Sequence, residues 1–208
     1  MHSNQKNYQT VNLDLVLEAE RVKDFFPLLQ RGFMFKARVD HSIKTLLCEQ
    51  VGLKPEYVED RIKIIFLDGK AVDDIDSAII KDGSTLALSA AMPGLVGAIL
   101  RRGGHLALLR SQATYREGNK PSSPREGLVV LKLFNLLVDE LGPLFLRTGI
   151  YVGGGDLKDL IQCLTEEFWA GCKTAHLDGQ EVGCNRLRRL TWLKNYDRVM
   201  VRVKVDIR

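Results

Sequence analysis

The stretch Leu67-Asp-Gly-Lys-Ala-Val72 returns later in the chain as Leu177-Asp-Gly-Gln-Glu-Val182. Each copy places an Asp-Gly pair between apolar residues, a pattern typical of a tight turn that joins two antiparallel strands. Two earlier segments repeat in the same order, residues 22–32 as 138–149 and residues 43–47 as 157–161. Solenoid repeats have periods of about 20–50 residues, and this spacing is more than twice as long. The repeat therefore predicts one small globular domain that is present twice.

The length and composition of the chain fit two small domains. It has 208 residues, of which 45% are hydrophobic and 27% charged, so the composition is that of a globular protein. Two domains of about 80–90 residues each lie near the small end of what folds alone. We predict domain 1 over residues 1–92, a partly apolar Gly/Arg-rich connector over residues 93–126, and domain 2 over residues 127–208.

Each copy has the pattern of two strands, one helix and two more strands, in which apolar residues alternate along the strands. The predicted strands are residues 13–17, 33–39, 62–67 and 84–89 in the first copy and residues 129–133, 150–152, 173–177 and 198–205 in the second. A turn at Pro27 or Pro143 separates the first two strands. An amphipathic helix then begins at a capping residue, Asp40 or Ser42 in the first copy and Asp156 in the second. This order predicts an α+β fold with one helix packed on a mixed sheet.

The same patterns predict which apolar side chains are buried. In the first copy the predicted core is Leu46, Leu47, Ile64, Phe66 and Leu86. In the second copy the corresponding residues are Leu160, Ile161, Ala175, Leu177 and Val199. The connector is too apolar for a solvated linker, so we also expect four of its side chains to pack against a domain: Leu95, Ile99, Leu106 and Leu109.

Both copies resemble the ubiquitin-like β-grasp superfamily. The first copy is similar to ubiquitin over Gly52-Leu-Lys-Pro-Glu-Tyr57, Ile64-Ile-Phe-Leu-Asp-Gly-Lys70 and Asp82-Gly-Ser-Thr-Leu-Ala-Leu88. The other copy is more similar to the small subunit of molybdopterin synthase and the thiamin sulfur carrier over Val130-Leu-Lys-Leu-Phe134, His176-Leu-Asp-Gly-Gln-Glu-Val182 and Asp197-Arg-Val-Met-Val-Arg-Val203. The resemblance implies two tandem β-grasp domains, each a mixed sheet with one packed helix. A shared fold does not by itself give a shared function.

The resemblance also implies residues that could carry function. These proteins act through a C-terminal Gly-Gly, and here the sequence Arg101-Arg102-Gly103-Gly104 is similar to that tail, although the chain continues beyond it. Release of such a tail would need a protease, whereas a Gly-Gly inside a connector is typical of a hinge or a close backbone contact. Ile65 and Lys70 match ubiquitin's central interaction isoleucine and a chain-linking lysine, while Ala87 and Ser89 depart from the rest of that surface.

Several other classes of protein are not expected. Residues 1–9 are polar and no apolar run is long enough for a membrane span, so the sequence predicts a cytoplasmic protein. No nucleotide-binding or hydrolase motif is present, which favours a non-enzymatic protein without a cofactor. The net positive charge lies in the connector, where residues 98–125 contain six basic residues and one acidic residue, but aromatic residues do not alternate with them, so we do not expect nucleic-acid binding.

The cysteines and one glycine run leave further alternatives open. The chain contains Cys48, Cys163, Cys172 and Cys184 without a Cys-x-x-Cys pair, so reduced thiols are expected. A metal site formed by the last three is the alternative interpretation. The run Gly153-Gly154-Gly155 could hold an anion at the start of a helix, but the first copy has no such run, so we interpret it as a loop.

These observations predict a ubiquitin-like binding or adaptor protein with a protein partner. Its interaction residues would be Ile65, Lys70, Arg101, Arg102, Gly103 and Gly104. The alternatives are a sulfur carrier or ubiquitin-like modifier precursor cleaved after Gly104, and an accessory protein for molybdenum or tungsten cofactor enzymes. The sequence specifies neither the partner nor an oligomeric state.

Overall fold

The computed structural model describes residues 9–106, 115, 123 and 125–206. The fold is α+β, as expected, with mixed sheets and several helices. The strands are β1 Thr10–Leu17, β2 Phe33–Val39, β3 His41–Ser42, β4 Ile64–Leu67, β5 Lys70–Ala71, β6 Ile79–Ile80, β7 Thr85–Ser89, β8 Arg125–Phe134, β9 Ile150–Gly153, β10 Cys172–Leu177, β11 Gln180–Glu181 and β12 Arg198–Val205. The α-helices are α1 Phe26–Arg31, α2 Pro55–Arg61, α3 Gly94–Leu100, α4 Leu136–Thr148, α5 Gly154–Cys163, α6 Glu166–Gly171 and α7 Cys184–Arg188.

The chain divides into two compact units, and one of them is discontinuous in sequence. Unit 1 consists of Met1–Arg31 and Gly142–Arg208, and unit 2 consists of Gly32–Leu141. The predicted bounds, residues 1–92 and 127–208 joined by a connector, differ from these. In the structure each unit takes segments from both copies of the repeat.

Unit 2 contains a five-stranded mixed sheet in the order β2-β8-β7-β4-β5. Strand β8 lies between β2, to which it is antiparallel, and β7, to which it is parallel. Strands β7 and β4 pair antiparallel, with Leu86 opposite Leu67. The residues of β8 that point into the core are Val129, Leu131 and Leu133, all fully buried. A strand of the second copy thus lies between two strands of the first copy, β2 and β7.

Unit 1 contains a sheet with the same sequence of parallel and antiparallel pairs, in the order β11-β10-β1-β12-β9, but here the strand from the other copy, β1, lies beside β10 and not beside the edge strand β9. Strand β1 runs parallel to β12 and antiparallel to β10, so Leu13 lies between Val201 and Leu177. The outer pair, β12 and β9, is antiparallel. Here a strand of the first copy occupies the centre of a sheet whose other strands belong to the second copy.

The repeated Asp-Gly pairs form the turns that the sequence predicts. Asp68 and Asp178 have φ values of 50° and 46°, and each following glycine has a φ of 79°. Two successive positive φ values define a type I′ turn, whose twist matches that of the paired strands. These turns join β4 to β5 and β10 to β11.

Most of the predicted core residues are buried. Eight are buried, namely Leu46, Leu47, Ile64, Leu86, Leu160, Ile161, Ala175 and Val199. The other two, Phe66 and Leu177, are only half-buried. Each of these two side chains lies in the strand just before an Asp-Gly turn, at one end of its sheet.

The segments around Pro27 and Pro143 are helical, where the sequence pattern predicts turns. Pro27 lies in the first turn of α1, where a missing amide hydrogen breaks no helical hydrogen bond. Pro143 lies inside α4, which buries Val138, Leu141 and Phe145 along one face. Burial of such side chains contributes about 1.5–3 kcal/mol each, enough to offset the bond that the proline omits. Among the described residues, no helix combines the length and apolar character that crossing a membrane requires.

Candidate functional site

The most unusual surface of unit 2 is the helix α3, which follows the last strand of the first repeat. Pro93 precedes the helix in an extended conformation. At the other end of the helix the backbone N–H of Arg101 donates to the Gly97 carbonyl. Gly97 is buried, and a Cβ there would lie 1.7 Å from the Met92 carbonyl oxygen. Because no side chain fits in that space, glycine is required for the chain to turn back on itself at this point.

The other face of α3 is apolar and exposed. Leu95 is 67% exposed and Val96 is 58% exposed, and the neighbouring Met92 is 39% exposed. We call these three side chains the α3 patch. The prediction that Leu95 packs against a domain is therefore wrong, because the helix is attached through Gly97 and turns Leu95 toward solvent. Ile99 and Leu106 are half-buried, and Leu109 lies outside the described residues.

Arg102 attaches the segment after α3 to unit 2. Its guanidinium donates to the Glu59 carboxylate at 2.8 Å and to the Val58 carbonyl at 3.3 Å, and its side chain is only 9% exposed. Its backbone N–H donates to the Lys63 carbonyl at 2.8 Å. The preceding Arg101 is exposed, and within the described residues it forms no salt bridge. Of the two predicted arginines, one is therefore structural and the other accessible.

The Gly-Gly pair continues this attached segment. Gly103 has a φ of +61° and donates its N–H to the Asp73 carboxylate at 3.3 Å. The Gly104 N–H donates to the Arg101 carbonyl at 3.1 Å, and a Cβ on Gly104 would lie 3.1 Å from the same oxygen. These contacts hold the pair in a turn, as the hinge or close-contact interpretation expects.

An open cavity of about 620 Å³ lies beside this turn and is rich in carboxylates. Its acidic residues are Glu59, Asp73, Asp74 and Asp76. A hydrogen bond from Ser77 and then one from the backbone of Asp76 lower the pKa of Asp74. Lys44 lies 2.9 Å from Asp76 and neutralises part of this charge. In the part of the chain that the structure describes, no group of three or more His, Cys, Asp or Glu side chains is placed to hold a metal ion.

The two ubiquitin-like positions have different surroundings. Ile65 lies in β4 opposite Leu88 and is fully buried, so its side chain is not part of the surface. Lys70 is exposed, at the start of β5 and opposite Leu67. The structure therefore does not bring Ile65, Lys70 and the Arg-Arg-Gly-Gly segment into one exposed surface.

The glycine run at residues 153–155 lies at the start of helix α5, whereas the comparison of the two repeats predicts a loop there. Gly153 precedes α5, and the Gly154 N–H donates to the Asp197 carbonyl at 2.9 Å. The predicted cap, Asp156, lies in the first turn of the helix. Beside this helix a cavity of about 300 Å³ is lined by Lys158, Arg189 and Lys194.

Two cysteines of unit 1 lie together, and both belong to the three that the alternative metal site would use. The Sγ atoms of Cys172 and Cys184 are 2.8 Å apart. The third cysteine of the alternative metal site, Cys163, is exposed and does not complete a metal-binding group with them. The local signal that could have identified the pair is the predicted Asp178-Gly179 turn, which lies midway between the two cysteines and folds β11 back along β10.

Comparisons of the chain with protein-family models, curated proteins and solved structures gave no match.

Proposed function

We propose that the protein is a non-enzymatic adaptor of the cytoplasm, built from ubiquitin-like β-grasp units, that binds a protein partner through the α3 patch. One observation carries this proposal: Leu95 and Val96 on the short helix α3, and Met92 just before it, are all exposed. Apolar side chains grouped at the surface are typical of protein-binding sites. Gly97 and Arg102 support the proposal because they hold the helix in place while its apolar face stays outside.

The charge next to the patch suggests the chemistry of the partner. Arg101 follows α3 directly and is exposed, whereas Arg102 is already paired with Glu59. A partner segment with an apolar face and an adjacent carboxylate would cover the patch and pair with Arg101. Charged groups at the edge of an interface contribute mainly to orientation and to the rate of association.

The sheet order of unit 2 supports the β-grasp part of the proposal. Each unit has a mixed five-stranded sheet with two parallel strands in its centre. In each unit one central strand comes from the other repeat. Exchange of β1 and β8 between two ubiquitin-like copies would give the order of unit 2, whereas in unit 1 the places of β1 and β12 are interchanged relative to that order.

The same exchange favours an intact chain over a cleaved precursor. A fragment that ends at Gly104 would lack β8, an interior strand of unit 2, and would carry away β1, the central strand of unit 1. The contacts of Gly103 and Gly104 in the turn also leave no free tail. A role beside molybdenum or tungsten enzymes is supported only by the resemblance of the second repeat.

The proposal can be tested by photocrosslinking in the native cell. A photoreactive residue replaces Val96 in the full chain, and a matched control carries it at Val205, which is also an exposed aliphatic position. We expect one discrete protein adduct from position 96 and none from position 205. The adduct should disappear when Arg101→Glu is added. Equal labelling from both positions, or an adduct that Arg101→Glu leaves unchanged, would contradict the proposed surface.

A further inference from the structure

We propose that Cys172 and Cys184 are a redox-active pair that closes into a reversible intramolecular disulfide. Cys172 is the first residue of β10 and Cys184 is the first residue of α7, and they lie twelve positions apart in sequence. Their sulfur atoms are 2.8 Å apart, and the Cys184 thiol also lies 3.5 Å from the Cys172 carbonyl oxygen. The two side chains already face each other, so closure needs no rearrangement of the sheet.

The hairpin between the two cysteines explains why they meet. Strand β10 turns at Asp178-Gly179 into β11, and the Val182 N–H donates to the Ala175 carbonyl at 2.8 Å. This hydrogen bond brings the chain back along β10. Helix α7 then begins at the level of the first residue of that strand. The positions of both cysteines are therefore fixed by backbone hydrogen bonds and a tight turn.

The two thiols differ in accessibility, which sets the order of the reaction. Cys172 is 8% exposed, whereas Cys184 is half-buried. Burial, and then the hydrogen bond with Cys184, raise the pKa of Cys172 to about 12. The thiolate is the reacting form of cysteine, so a buried thiol that stays protonated does not react first. The first reaction therefore takes place at Cys184.

A small-molecule disulfide such as glutathione disulfide serves as the oxidant. The Cys184 thiolate attacks one sulfur of the oxidant, forms a mixed disulfide and releases one glutathione thiolate. Cys172 then loses its proton to water, and its sulfur attacks the Cys184 sulfur, forms the protein disulfide and releases the second glutathione thiolate. The protein loses two protons and two electrons, and the oxidant accepts the electrons as its sulfur–sulfur bond breaks. Two molecules of reduced glutathione, or one molecule of a dithiol, reverse both steps.

Closure would tie α7 to the sheet of unit 1. The chain after α7 is held by the Trp192 indole N–H, which donates to the Leu187 carbonyl at 3.0 Å. That segment also contains Leu190 in a left-handed conformation, with a φ of 56°. A covalent bond at Cys184 would restrict the start of this segment, so we expect slower amide exchange in α7 of the oxidised protein.

The experiment uses the reduced full-length protein in glutathione buffers, followed by intact mass and peptide mapping. Wild type should lose the mass of two hydrogen atoms and give a peptide that links positions 172 and 184. The matched control Cys163→Ser should do the same, because Cys163 is exposed and outside the pair. Cys172→Ser should instead accumulate a glutathione adduct on Cys184, and Cys184→Ser should form no link.

The mapping of the wild-type protein alone can overturn the proposal, even where a variant does not fold. If Cys163 becomes glutathionylated while positions 172 and 184 remain two free thiols, the pair is not redox-active. A link that joins Cys163 or Cys48 to another cysteine would also contradict the proposed pairing.

Discussion

Leu86 of β7 lies beside Leu131 of β8 in parallel register, and both side chains are fully buried at the centre of unit 2. Leu86 belongs to the first copy of the repeat and Leu131 to the second. Unit 2 therefore cannot fold until β8, which follows the connector in sequence, pairs with β2 and β7, which precede it. Neither repeat contains all the strands of its own sheet.

Truncation of Leu131 should destabilise unit 2. Leu131→Ala leaves a cavity beside Leu86, and such substitutions in a core cost about 2–5 kcal/mol. Glu126→Ala, an exposed position in the same strand, should cost less than about 0.5 kcal/mol. Urea unfolding measures both values. Amide exchange should become faster in β2 and β7, the neighbours of β8, and faster exchange in β12 and β9 instead would contradict the strand exchange.

The substitution Gly97→Ala should detach α3. Its Cβ would overlap the Met92 carbonyl oxygen, which is backbone and cannot move away without opening the turn. The matched control is Gly155→Ala in α5, where a Cβ meets no atom within 4 Å and alanine favours a helix by about 1 kcal/mol. Trypsin should cleave Gly97→Ala faster after Arg101 and Arg102 than wild type. Equal cleavage rates for wild type and Gly97→Ala would show that the close contact does not hold the helix.

Substitutions of the two neighbouring arginines should have different effects, one on stability and the other on partner binding. Arg102→Ala removes a side chain that is bonded to Glu59 and Val58 and almost completely buried, so it should cost about 1–2 kcal/mol. Arg101→Ala should change the free energy of unfolding by less than about 0.5 kcal/mol but weaken partner binding. Urea denaturation and the crosslinking yield at position 96 provide the two readouts. If Arg101→Ala lowered the stability and Arg102→Ala weakened only the binding, the roles given to these residues would be refuted.

A pH-dependent contribution to stability should come from Glu140. Its carboxylate accepts hydrogen bonds from Arg61 and from the Tyr57 hydroxyl, which lower its pKa below the usual 4.5. A carboxyl group with a lowered folded-state pKa stabilises the fold above its unfolded pKa, and this contribution is lost as the pH falls through the folded value. Because the side chain is 29% exposed, the contribution should not exceed about 1 kcal/mol.

The measurement compares wild type with Glu140→Gln in urea between neutral pH and pH 3. The difference in stability should be largest at neutral pH and should shrink in acid. The exposed Asp139→Asn serves as the matched control on the same helix. A difference between wild type and Glu140→Gln that grows in acid would contradict the assigned pKa shift.

Local structure is well predicted from this sequence because local chemistry determines it. The predicted strand at residues 198–205 coincides with β12, since its buried valines alternate with half-buried residues. Both Asp-Gly turns have the expected conformation, because aspartate and glycine tolerate positive φ. The helix at Pro143 was not predictable from the proline, because the apolar face of α4 outweighs one missing hydrogen bond.

Strand pairing could not be predicted, because alternation specifies a buried face and not a neighbour. Strands β1 and β8 have the same apolar period, so either could fill the centre of either sheet. The α3 patch was also missed. Its apolar residues are ordinary core residues by sequence, and only the contact of Gly97 with Met92 determines which face is exposed.

Each of the two units is built from both halves of the chain, and cleavage after Gly104 of the folded protein is the sharpest test of this arrangement. A protease site placed between Gly104 and His105 allows the protein to be cut and then analysed by size-exclusion chromatography with and without urea. We predict that residues 1–104 and 105–208 stay together until urea separates them, and that residues 1–104 expressed alone do not unfold cooperatively. A monomeric 1–104 fragment with the cooperative unfolding and amide spectrum of the intact chain over residues 33–89 would contradict the strand exchange.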